Sequence, residues 1–111
     1  MNGTYMKQID VRSLLDDSSA LPRTTALVRE NGLRALLLHL GPGEGIPEHQ
    51  TRGAIAVYCL RGQVRFIAGD ERVELTPGVL ISLGPGASHR LSSDQDSTLL
   101  VTISEPVPPE S

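Results

Sequence analysis

Short runs in which apolar residues dominate alternate with clusters of Gly, Pro, Asn and Asp along most of this chain. From Thr24 onward the runs are Thr24 to Arg29, Leu33 to Leu40, Ala54 to Leu60, Gln63 to Ala68, Arg72 to Leu75, Val79 to Leu83, His89 to Leu91 and Ser97 to Ile103. Each has strand length and is bounded by turn residues, which predicts about eight strands and an all-β sandwich or barrel. Asn31 followed by Gly32 predicts a hairpin, because both residues tolerate positive φ. The stretches Gly41 to Gly45 and Gly84 to Gly86 read as rigid, irregular corners. Ahead of the strands, Val11, Leu14 and Leu15 predict one helical turn at an edge of the domain. The pattern divides the chain into an N-terminal arm (1–23), a barrel (24–104) and a Pro-rich tail (105–111) expected to be extended or disordered.

Composition narrows the function classes. At 111 residues the chain fits one domain, and 39% hydrophobic residues suffice for a packed core. The net charge of −3 and only three aromatic residues, Tyr5, Tyr58 and Phe66, argue against a nucleic-acid-binding surface. A single cysteine, Cys59, excludes an intrachain disulfide framework and a zinc ribbon or finger. No run approaches the roughly 20 apolar residues of a membrane span, and the first ten residues lack the apolar core of a signal peptide. The expectation is a soluble cytoplasmic protein with neither a membrane nor a nucleic-acid partner.

Two Gly/Pro corners, each followed by a histidine, are the chain's internal echo. The first is Gly43, five residues, His49, then Thr51, Ile55 and Gly62. The second is Gly78, five residues, Gly84, then Gly86 and His89. This pair resembles the two motifs of the cupin superfamily, over roughly residues 24 to 103. The phrases Val57-Tyr58-Cys59-Leu60-Arg61-Gly62 and Leu75-Thr76-Pro77-Gly78 are similar to cupin phrases as well. The resemblance implies a double-stranded β-helix, a jelly-roll-like conical barrel of the RmlC-like kind, and small cupins of this type commonly form homodimers. The segment before Thr24 is expected to supply that contact between copies.

The resemblance also implies a metal site, from which this chain departs. A metal-bearing cupin uses two His and a Glu from the first motif and one His from the second. They converge on a divalent transition metal: iron, manganese, nickel or zinc. Here Thr51 stands at the second His position and Ile55 at the Glu position, so only His49 and His89 remain as metal ligands. Protein metal sites commonly need three or four ligands. The nearest carboxylates are Glu44, on the Gly-rich corner, and Glu48, which strand alternation sends to the face opposite His49.

The expected pocket is therefore apolar, built from His49, Thr51, Ile55, Val57, Cys59 and His89. The two histidines are its polar centre, hydrogen-bonded to Thr51, Ser88 or water. Cys59 shares strand parity with Ile55 and Val57 and reads as a buried filler. No nearby cation or helix end marks it as a nucleophile. His39 falls on the face opposite Leu38 and Leu40, outside the ligand set. Tyr58 is expected between the sheets or at a dimer contact. Arg52, Arg61, Arg65 and Arg72 are expected in solvent, and Arg90 is weighed for a place at the pocket mouth. No phosphate-binding loop or Ser-His-Asp arrangement stands out.

Three functions follow as expectations. One is a protein that binds a small molecule in the apolar pocket. Another is a metal-dependent enzyme, of dioxygenase or isomerase type, using His49, His89 and a third ligand such as Glu44 or water. The last is a regulatory or sensor module acting through a partner protein.

Overall fold

The computed structural model describes residues 6–16 and 21–105. Within them a short helix, α1 (Val11–Leu15), precedes nine strands: β1 (Thr24–Glu30), β2 (Leu33–Leu40), β3 (Gly45–His49), β4 (Ala54–Arg61), β5 (Val64–Ala68), β6 (Glu71–Leu75), β7 (Leu80–Leu83), β8 (His89–Ser93) and β9 (Ser97–Ser104). They form two antiparallel sheets, one ordered β1-β2-β9-β4-β7 and the other β3-β8-β5-β6. The all-β roll that the pattern predicts is the fold observed.

Local sequence explains most of the boundaries. Asn31 and Gly32 take φ of 47° and 82°, closing the β1–β2 hairpin in the primed turn their chemistry favours. Asp10 caps α1, its carboxylate accepting from the Arg12 N–H at 3.1 Å. The strand missing from the sequence expectation is β3. Gly45 and Pro47 disguise it, since Pro47 has no N–H to give a ladder. It survives because β3 is an edge strand and because its register against β8 shifts between Ile46 and His49.

The core lies between the sheets and follows alternation. Ile55, Val57 and Cys59 on β4, Val64 and Phe66 on β5, Leu91 on β8 and Leu99 on β9 are buried together with Leu38, Leu40 and Leu75. Tyr58 has the opposite parity. It pairs with Leu100 and Leu80 on the outer face of the larger sheet and is half-buried there, not between the sheets.

Both described ends of the chain are tied to the barrel. The described part of the arm lies against its own chain: Lys7 Nζ donates to the Leu27 carbonyl at 2.9 Å, and Arg61 donates to the Leu15 carbonyl at 3.0 Å. Arg61 also donates to Thr98 Oγ1 at 3.1 Å, so it anchors the arm and is not simply solvated. Glu105, expected at the start of the tail, is held at both ends. Its N–H donates to the Gly32 carbonyl at 2.7 Å and its carboxylate pairs with Arg34 at 2.9 Å. The expected tail from residue 106 onward lies outside the described residues. No helix among the described residues is long and apolar enough to cross a membrane.

Candidate functional site

The β3–β8 pairing creates the site. Ile46 pairs with Leu91, and His49 pairs with His89. Three steps along β3 therefore match two along β8, which is a bulge. In an unbroken strand Ile46 and His49 would face opposite ways. The extra residue reverses the parity, so both turn inward, while Glu48 turns outward and pairs with Arg90 at 3.6 Å. Arg90 is thus occupied on the outer face, away from the pocket mouth. The loop after β3 is tied to the second Gly/Pro corner as well, because Gly86 N–H donates to the Thr51 carbonyl at 2.8 Å.

The result is a pair of imidazoles in edge-to-face contact. The ring centroids of His49 and His89 are 4.2 Å apart with planes at 61°. His89 is only 2% exposed and its other side lies on Phe66, centroids 5.4 Å apart and planes nearly parallel at 11°. His49 is exposed. Each ring is anchored by its own strand: His49 Nδ1 to the Pro47 carbonyl at 3.0 Å, and His89 Nδ1 to the Ala87 carbonyl at 2.9 Å. These carbonyls, not Thr51 or Ser88, hold the rings. A carbonyl oxygen only accepts, so both Nδ1 atoms carry the proton and, in the neutral ring, both Nε2 atoms carry a lone pair. Neither Nε2 has a hydrogen-bond partner among the described residues.

The pair opens onto a cavity of about 170 Å³ between the sheets. His49, Thr51, Ile55, Val57 and His89 line it, as does Phe66. So do apolar side chains that the motifs do not mark, among them Ile46, Leu99, Val101 and Ile103. The alternation of Leu99, Val101 and Ile103 along β9 is legible in the sequence, and their positions opposite Cys59, Val57 and Ile55 follow from the β4–β9 pairing. Phe66 is a further functional candidate, one that the motifs do not mark. Nothing in its local sequence marks it, because its contact with His89 depends on the β5–β8 register.

Cys59 is not part of the lining. It points inward as expected but is fully buried farther along β4, its thiol directed at the Arg61 carbonyl 3.5 Å away. Burial raises its pKa above the ordinary thiol value, outweighing that hydrogen bond, which suits a filler and not a nucleophile. Glu44, the candidate third ligand, is also elsewhere. It precedes β3 by one residue, so a strand length of about 16 Å separates its backbone from that of His49. Its carboxylate accepts from the Gly41 N–H at 2.6 Å and pairs with Arg23 at 3.4 Å. The Gly41 contact is the largest influence and lowers its pKa; desolvation opposes it, and Arg23 and then His39 add to the lowering. His39 lies outside the cavity, beside Thr98 Oγ1 at 3.3 Å.

These residues do not fit a resident transition metal. Among the described residues no group of three or more His, Cys, Asp or Glu is assembled, and Ile55 puts an apolar wall where a carboxylate ligand would stand. A second hollow, about 220 Å³, lies on the far side of Phe66 between the free edges of β6 and β7. It holds no imidazole, and Glu71 is its one ionisable lining group.

Solved structures share this architecture. A cupin superfamily protein of Desulfitobacterium hafniense superposes with a TM-score of 0.72 at 17% identity, over 75% of this chain and 76% of that one. A cupin-2 domain containing protein of Shewanella frigidimarina gives 0.72 at 11% identity, over 87% and 94%. The DMSP lyase DddQ of Ruegeria pomeroyi gives 0.69 at 21% identity over 78% of this chain but 48% of its own length. At these identities the likeness is one of fold. No curated protein sequence matches the chain. The cupin-domain family profile matches residues 36–104, which takes in most of β2, all of β3 to β9 and both histidines of the site. The chain belongs to the cupin-domain family.

Proposed function

We propose that this cupin binds a small, mostly apolar molecule in the cavity between its sheets, with His49 and His89 as the polar contacts. The observation that carries the reading is the pair of imidazole Nε2 atoms without partners at the edge of an apolar cavity. Polar groups beside a packed core are normally satisfied. The ring of the buried His89, oriented by a backbone carbonyl beside the cavity and with the exposed His49 in contact, favours an external partner for its Nε2. The volume supports the size class, since an apolar cavity of about 150 Å³ can take a benzene ring.

The metal-enzyme reading has less support. Nδ1 anchoring to a carbonyl is also how metal-binding histidines are oriented. Two such rings still fall short of a ligand set, and Glu44 is committed to Gly41 and Arg23. The test is metal analysis of untagged protein after dialysis with zinc, nickel, manganese or iron(II), paired with a toluene titration read on the methyl resonances of Ile55, Val57 and Leu99. The expected result is substoichiometric metal and saturable methyl shifts. A stoichiometric metal surviving dialysis, without toluene binding, contradicts the proposal.

A further inference from the structure

Resting on that reading of the cavity, we infer that its ligand carries a hydrogen-bond-donating head group, an alcohol, phenol or N–H, and not a carboxylate or a carbonyl. Four polar side chains line the cavity: Thr24, His49, Thr51 and His89. Three of them present acceptors only. The two histidines have their Nδ1 protons committed to Pro47 and Ala87, which leaves Nε2 lone pairs. Thr51 has given its hydroxyl proton to the Gly53 carbonyl at 3.1 Å, leaving oxygen lone pairs. Thr24 is exposed at the rim and is the one polar side chain of this lining whose proton has no partner among the described residues.

A head group that reaches the imidazole side of the cavity meets lone pairs. An alcohol, phenol or N–H offers them a proton. A carboxylate or ketone offers lone pairs against lone pairs and leaves both sides unsatisfied, which a desolvated apolar wall makes costly. Matching of donors to acceptors discriminates more strongly than size in such a pocket, because an unpaired buried polar group is worse than a slightly poorer fit. His89 carries most of this selectivity. It is the buried member of the pair, and its stack on Phe66 holds the ring in place.

The test compares three ring-sized probes, phenol, toluene and benzoate, at about pH 8, above the ordinary imidazole range, with a chelator present. Binding is read on the methyl resonances of Ile55, Val57 and Leu99 and on the imidazole ¹⁵N resonances. Phenol is expected to bind about tenfold more tightly than toluene, with benzoate weakest, and to shift the Nε2 resonances. In His89→Phe, which keeps the aromatic stack but removes the acceptor, the phenol-to-toluene ratio is expected to fall to about one. His49→Phe is expected to reduce it part-way. The wild-type ratio decides the matter alone if His89→Phe does not fold. Toluene equalling or exceeding phenol, or benzoate binding most tightly, overturns the inference while leaving the pocket reading intact. Failure of every probe to move the methyl resonances overturns the pocket reading and the inference with it.

Discussion

The two ends of the barrel interior use polar residues in opposite ways. At one end Ser93 and Ser97 are buried with their hydroxyl oxygens 2.8 Å apart, between the carbonyls of Gln63 and Gln95. The Gln63 N–H donates to Ser97 Oγ at 3.0 Å, and two hydroxyl protons serve two carbonyls. Both hydroxyls there donate to a local carbonyl and accept from a local N–H, Ser93 Oγ from that of Gln95 at 3.3 Å, and Gly62 closes the turn above them. At the other end His49 and His89 satisfy only their Nδ1 protons. The same strand, β8, contributes His89 to the open end and Ser93 to the closed one. A buried polar residue is therefore structural or functional according to whether its hydrogen-bonding capacity is used up inside the fold.

This contrast yields predictions in which the closed end loses stability and the open end loses binding. The largest effect is expected for Gly62→Ala. Gly62 has φ of +88°, and an added Cβ would stand 2.1 Å from Ser97 Oγ and 2.5 Å from the Asp96 carbonyl oxygen. Left-handed strain and overpacking against backbone together predict a loss of about 3 kcal/mol or more, measured by urea denaturation. A loss under about 1 kcal/mol would break the picture of a tightly closed end.

Ser93→Ala comes next. It removes one of the two hydroxyl protons and leaves a buried carbonyl short of its donor, for an expected cost of about 1–3 kcal/mol. Phenol affinity should stay at the wild-type value, since Ser93 is outside the cavity lining. A weakened affinity would mean that the two ends are coupled.

His49→Ala sharpens the comparison from the other side. The ring is exposed and gives up one local hydrogen bond, so stability is expected to change by no more than about 0.5 kcal/mol. Its phenol preference should drop. A large stability loss without any change in binding would make His49 structural.

The smallest effect is expected at Glu44, whose carboxylate caps the turn leading into β3. Its folded pKa is lowered from 4.5, so its contribution to stability is present above about pH 4.5 and is lost as pH falls through the lowered folded value. Urea midpoints of the wild type and Glu44→Gln should differ near neutral pH and converge in acid. An unchanged difference down to about pH 3 would show that the carboxylate charge plays no part.

Eight of the nine strands and the two histidines were legible in the sequence for identifiable reasons. Turn chemistry at Asn31-Gly32 and the Gly/Pro corners bounds the strands, and spacing places His49 and His89 in corresponding corners. Three things were not legible. Alternation tells which face a residue occupies but not how far along the barrel it sits, so Cys59 had the right face and the wrong depth. The bulge in β3 is hidden by Pro47, although it is what turns His49 toward His89. Contacts set by register, such as Phe66 on His89 and Arg61 on the arm, join residues far apart in the chain and leave no local mark.

The most direct test of the open-end account is a crystal structure of the protein grown with phenol and chelator. The account predicts one ring in the cavity between the sheets, its hydroxyl within hydrogen-bond reach of Nε2 of His89 or His49. Phenol found only in the hollow between β6 and β7, or a fully coordinated metal ion held on the two imidazoles, would contradict it.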